Sequence, residues 1–129
     1  MLNKKIEIKL RGVEIPLWFN NYASAELQKM YGADIKSVMH ALIERLEDNY
    51  LIVLSDLIKC GIKGNYLAKD ISKPEYFPLV NELIAQEADE TLVPVWLEVF
   101  EVFKEHMGIN LPKEESKKKV TKNSKKVTV

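Results

Sequence analysis

Two side chains in this 129-residue chain have the chemistry of a nucleophile and a base, Cys60 and His40. A cysteine attacks as its thiolate, so it needs a neighbour that stabilises the negative charge and a third group that holds the base in place. His40 falls in one helical pattern and Cys60 near the end of the next, which would let them approach. No orienting residue or oxyanion motif accompanies them, and a small buried cysteine is the simpler reading. Glu101, Glu105 and His106 lie close together on a later helical stretch, but a metal centre of consequence needs more ligands than these. Gly61-Ile62-Lys63-Gly64-Asn65 has the glycine spacing of an anion-cradling or single-strand RNA-binding loop. It lacks the strand–loop–helix setting and the Lys-Ser/Thr pair of a P-loop, and punctuation of a helix accounts for both glycines. The sequence therefore reads as a protein without catalytic residues, metal or cofactor.

The remaining chemistry is apolar. Trp96, Phe100 and Phe103, continued by Leu92 and Met107, form a stripe at helical spacing, with Val93, Leu97 and Val102 on other faces of the same helix. One helix of a small domain hides all of these only if it lies central, so part of the surface is expected to meet a partner. The expectation is that Phe100 is buried, with Trp96 and Phe103 flanking it and partly available for binding.

The elements that must position this stripe can be read from periodicity. Ile6, Ile8 and Leu10 alternate with Glu7 and Lys9, and Val13, Ile15, Leu17 and Phe19 repeat the pattern after Arg11-Gly12. That is a β-hairpin with one wet face, and Pro16 belongs at an edge because it donates no ladder hydrogen bond. Helices are predicted over 22–31, stopped by Gly32, and from a cap at Asp34 through Leu46. A third, apolar on most sides and so central, is predicted over 50–60 and stopped by Gly61 and Gly64. After a loop at 65–74 come a helix to about 88 and a last one capped by Thr91, in which Pro94 would be the third residue and Gly108 the stop. The fold class is α+β and mainly α: residues 1–112 form a hairpin packed on a bundle of about five helices. Residues 113–129, with no apolar periodicity, read as a disordered lysine-rich tail.

Charge divides along the same boundary. The chain has 19 basic and 19 acidic residues, yet from Pro112 onward seven lysines face only Glu114 and Glu115, a net +5, which leaves the body at −5. An acidic body argues against nucleic acid as its partner. The single cysteine suits a reducing compartment, and the N-terminus alternates charge with aliphatics rather than forming a signal-peptide core. No apolar run is long enough for a bilayer, so a cytoplasmic protein with no membrane partner is expected.

The order of these elements resembles the tail assembly chaperones of long-tailed, siphovirus-like bacteriophages. The resemblance rests on the hairpin KIEIKLRGVEIPLWFN, with its Ile15-Pro16-Leu17-Trp18-Phe19 pattern, and on NYASAELQKMYG, where Glu26 and Leu27 precede Gly32. It continues through ADIKSVMHALIERLED and YLIVLSDLIKCGIK and covers roughly residues 4–108. It is an arrangement of elements rather than a fingerprint. It implies a non-enzymatic role in the host cytoplasm: holding the tape measure protein soluble and helping the major tail tube protein polymerise around it, before leaving the assembly, so that the chaperone is absent from the mature virion. Self-association into a homo-oligomer would fit that task. The resemblance also implies a longer product made by ribosomal frameshifting, and Lys117-Lys118-Lys119, Lys122-Asn123 and Lys125-Lys126 can be encoded by runs of one base. A tail that only confers solubility is the plainer account. Two other functions remain open on the sequence: a small nucleic-acid-associated regulator that uses the lysine tail as a basic arm, and an adaptor subunit of another assembly.

Overall fold

The structure, a computed structural model, describes residues 4–32 and 34–108. The boundary expected at 112/113 and the lysine-rich segment lie outside the described residues. The chain runs β1 (Lys4–Leu10), β2 (Val13–Phe19), α1 (Asn21–Tyr31), α2 (Ile35–Asp48), α3 (Tyr50–Lys69), a single 3-10 turn (Phe77–Leu79), α4 (Val80–Gln86) and α5 (Asp89–Met107). An N-terminal antiparallel hairpin packed on five helices is the architecture that the periodicity predicts.

The hairpin closes through Arg11 and Gly12, both at positive φ, which matches the turn to the right-handed twist of the two strands. In this register Ile8 opposes Ile15 and Ile6 opposes Leu17, so the aliphatic residues of both strands share one face. Ile8, Leu10, Ile15, Leu17 and Phe19 are buried. The other face carries exposed Lys5, Glu7, Lys9 and Glu14, together with Trp18, half-buried beneath the Lys5 ammonium, which lies 4.1 Å from its ring centre. Two strands cannot bury an apolar face alone. Here α3 receives it, with α1 and α5 on either side.

The third helix is central, as its all-round apolar character predicts, but it is longer than predicted. It passes through Gly61 and Gly64 without a break and ends at Lys69, where Asp70 adopts the left-handed conformation and its N–H bonds back to the last turn. The glycines are therefore not punctuation. A Cβ on Gly64 would stand 2.1 Å from the Trp18 carbonyl oxygen and 2.8 Å from Asn20 Oδ1; one on Gly61 would stand 2.9 Å from Leu17 Cβ. The two glycines make a notch into which the end of β2 sinks against the helix. Each costs helix propensity of about 1 kcal/mol relative to alanine, and the close approach of two backbones is what that cost secures. Asn20 fastens the junction: buried, it accepts from the Ala23 N–H at 3.2 Å as the N-cap of α1, and its amide donates to the Gly64 carbonyl at 3.1 Å.

Other boundaries differ for local reasons. The stretch predicted as one helix to residue 88 is a 3-10 turn followed by the seven-residue α4. The last helix starts at Asp89 rather than after Thr91, with Ala88 as an N-cap that offers no side-chain bond. Asp89 and Glu90 in its first turn suit the positive end of the helix dipole. Pro94 is consequently the sixth helical residue, not the third, and the exposed Glu90 has a carbonyl with no helical N–H to accept from. Gly108 ends this helix in the left-handed conformation, as predicted. The hairpin tip reaches the α4–α5 link, where the Arg11 backbone N–H donates to Glu87 Oε2 at 3.2 Å.

If the glycine notch sets the position of the hairpin, Gly64→Ala destabilises by about 3 kcal/mol or more and Gly61→Ala by roughly 1–2 kcal/mol, although alanine is the better helix former. Urea unfolding followed by circular dichroism measures both. A Gly64→Ala protein more stable than the parent would show that the notch does not govern packing.

Candidate functional site

The Cys60–His40 pairing that the residue types would allow does not assemble. His40 is on the outer face of α2 with its imidazole 3.9 Å from Glu44, and its side chain is largely in solvent. Cys60 is buried in α3, where it lines a small interior space with Phe19, Leu57, Phe103 and His106. Burial first, then the carboxylates of Glu26 and Asp56, push its thiol well above the usual range and keep it protonated. The residue that does meet a hydroxyl is His106. Its Nε2 shares a 2.9 Å hydrogen bond with Ser24 Oγ, tying the end of α5 to the first turns of α1 across 82 residues of sequence. A serine–histidine pair is a nucleophile in form only, because the space beside it has no room for a water molecule, still less a substrate. The bond serves to dock α5.

His106 turns inward while Glu101 stays on the outer surface, 3.3 Å from Lys104, so these residues do not converge on one point. Among the described residues no group of three or more His, Cys, Asp and Glu side chains is placed to hold a metal ion. Among the same residues no helix is long and apolar enough to cross a membrane.

The aromatic stripe of α5 is resolved into a ladder that runs from surface to core. Tyr50, at the start of α3, lies 5.6 Å from the Trp96 ring; Trp96 stacks on Phe100 at 4.8 Å; Phe100 lies 6.3 Å from Phe103. Phe103 meets the edge of Phe19 at 6.2 Å beneath the hairpin. The inner and outer rungs differ from the expectation. Phe103, expected to be partly available, is 2% exposed and belongs to the core, whereas Phe100, expected to be buried, is half-buried like Trp96. The hairpin causes this exchange, since Phe19 projects from the end of β2 toward the Phe103 side of the helix. On the outer side of α5 stand Leu97, 61% exposed, and Val93, 45% exposed, next to Trp96 and Phe100. These four residues form one apolar seam along the helix. Sequence reading named Val93 and Leu97 only as residues on other faces, yet each stands one helical turn before a stripe residue, Val93 at i−3 of Trp96 and Leu97 at i−3 of Phe100.

A second concavity lies between α3 and α4, an open groove of about 340 Å³ edged by Leu51, Ile52 and Ile84. Three of its polar side chains, Ser55, Asp56 and Asn81, are engaged within the fold. Ser55 donates to Asn81, and Asp56 accepts from the Tyr31 hydroxyl at 2.7 Å. Burial and that hydrogen bond raise the Tyr31 phenol above its ordinary value, while the Arg45 guanidinium covers its ring at 4.4 Å.

Comparison with protein-family models, with curated proteins and with solved structures finds no match to this chain.

Two measurements separate core from surface. Phe103→Ala is expected to cost roughly 3–5 kcal/mol of unfolding free energy, while Leu97→Ala changes it by no more than about 0.5 kcal/mol; equal effects would contradict the ladder. Cys60 is expected to stay unlabelled by a disulfide reagent in the native protein and to react fully in denaturant. Rapid labelling of the folded chain would show that the thiol is neither buried nor held protonated.

Proposed function

We propose that this chain is a non-enzymatic tail assembly chaperone of a long-tailed bacteriophage, which binds the tape measure protein and helps the tail tube protein polymerise. The observation that carries this reading is the apolar seam of α5, where Val93, Trp96, Leu97 and Phe100 lie together at the surface beside the buried face formed by Leu92, Val99 and Phe103. Such a seam has the spacing to accept the apolar face of an amphipathic helix, and rings already stacked on one another lose little freedom on binding. Supporting it is the order of elements, a hairpin with an Ile15-Pro16-Leu17 strand running directly into a helical body, which is the arrangement on which the resemblance rests. The chaperone would act in the host cytoplasm and leave before the virion is complete.

The test is co-expression with the tape measure protein encoded nearby, read as the soluble fraction of that protein. Trp96→Ala and Leu97→Ala should each weaken capture by a hot-spot amount of about 2 kcal/mol, roughly 30-fold in affinity. Stable variants that still solubilise the tape measure protein fully would remove α5 from the binding site and leave the α3–α4 groove as the surface to test. If the unmutated chain has no effect on that protein's solubility, the chaperone reading fails.

A further inference from the structure

We infer that the partner helix seated on the α5 seam is basic, with Lys or Arg beside its apolar stripe where it faces Glu90, Glu98 and Glu101. The inference rests on α5 being a partner surface and deepens that reading by naming the chemistry of the occupant. Three observations carry it. First, the seam is bordered by carboxylates: on the side of α5 away from Trp96 stand Glu90, Glu98 and Glu101, all exposed. Second, the opposite border is the aromatic ring of Tyr50, which lies 5.6 Å from the Trp96 ring. Third, α5 carries a single lysine, Lys104, and that charge is already committed: its ammonium lies 3.3 Å from Glu101 and 5.4 Å from the Phe100 ring centre.

An acidic partner helix laid on this seam would bring like charges together along the Glu90, Glu98 and Glu101 border. A basic one would meet carboxylates along that border and bury its aliphatic stripe on Leu97 and Val93, with the long stems of its lysines covering apolar surface. Surface charge pairs are individually weak, so the seam supplies the affinity and the acidic border supplies the choice between partners.

Two designed helical peptides of about 21 residues test this, identical in a leucine stripe at i, i+3, i+4 and i+7, one flanked by lysines and the other by glutamates. Binding to the full chain is followed by Trp fluorescence. The lysine-flanked peptide should bind about tenfold or more tighter at about 50 mM salt, and the gap should shrink as salt rises toward 0.5 M. Leu97→Ala should weaken its binding, and the triple variant Glu90→Lys, Glu98→Lys, Glu101→Lys should invert the preference. Equal binding of the two peptides overturns the charge inference while leaving the chaperone reading, tested separately by co-expression, in place. Binding that ignores Leu97→Ala also overturns it, because the peptide then sits elsewhere. A dimer in sedimentation equilibrium that Leu97→Ala dissociates would assign the seam to a second copy and overturn it. So would rejection of both peptides by the natural chain when a variant with its tail lysines changed to glutamine accepts the lysine-flanked one, since the chain's own tail would then be the occupant.

Discussion

The contact on which the rest of this structure depends is the one between the end of β2 and the two glycines of α3. A hydrogen atom at Gly64, in place of a methyl group, is what lets the Trp18 backbone come within reach of the helix axis. Once it does, Leu17 and Phe19 are pressed against α3 rather than spanning a gap, and the hairpin gains a wall for its apolar face. Asn20 converts the same approach into a polar bond, spending its oxygen on the first turn of α1 and its amide on the Gly64 carbonyl. A buried asparagine is tolerable only with such partners, so the direction in which α1 leaves the hairpin is bound to the depth at which the hairpin sits. The fifth helix is then placed by Phe19, whose ring meets Phe103, and by the Ser24–His106 bond from α1. Three packing decisions thus descend from one close approach.

How much of this could be read from the residues follows from the range of each interaction. The hairpin was legible because its signal is local: alternation over Ile6–Leu10 and Val13–Phe19 and a Gly at the turn specify strand, face and register together. The central place of α3 was legible from its lack of a polar face. Its length was not, because a glycine that stops a helix and a glycine that admits a neighbouring backbone look the same in one dimension. Only the strand on the other side, more than 40 residues earlier, distinguishes them. The true stop, Asp70, takes a left-handed conformation that aspartate tolerates but that no local rule demands. The Thr91 cap failed for a related reason: Asp89 and Glu90 extend the helix by one turn through charge, without a capping bond.

The candidate surface shows the same division. Helical spacing identified the aromatic stripe correctly as one face, but a helix face is broad, and which flank goes under depends on what covers it. Phe19 decides this, taking Phe103 into the core and leaving Phe100 half out. Sequence reasoning had no access to that choice. It also weighed Cys60 only against His40. His40 was nearer in sequence, yet His106, on the helix that closes over Cys60, is the one that lines the same interior space.

The ladder from Tyr50 through Trp96, Phe100 and Phe103 to Phe19 has a physical consequence for binding. Its outer rungs are held by its inner ones, because rings at 4.8–6.3 Å spacing restrict one another's rotation, and the last of them is locked beneath the hairpin. If α5 is the partner surface proposed above, rings restricted in this way would lose little further freedom on binding, so less of the contact free energy would go to ordering. The same continuity works in reverse. A helix seated on Trp96 and Leu97 covers rings that touch the core, and a ligand that binds only the folded chain stabilises it by mass action. On the proposed function, recognition on the outside of α5 and stability on its inside would be linked through one set of side chains, with the outer residues of the seam, Val93 and Leu97, as the positions where the two could be altered independently.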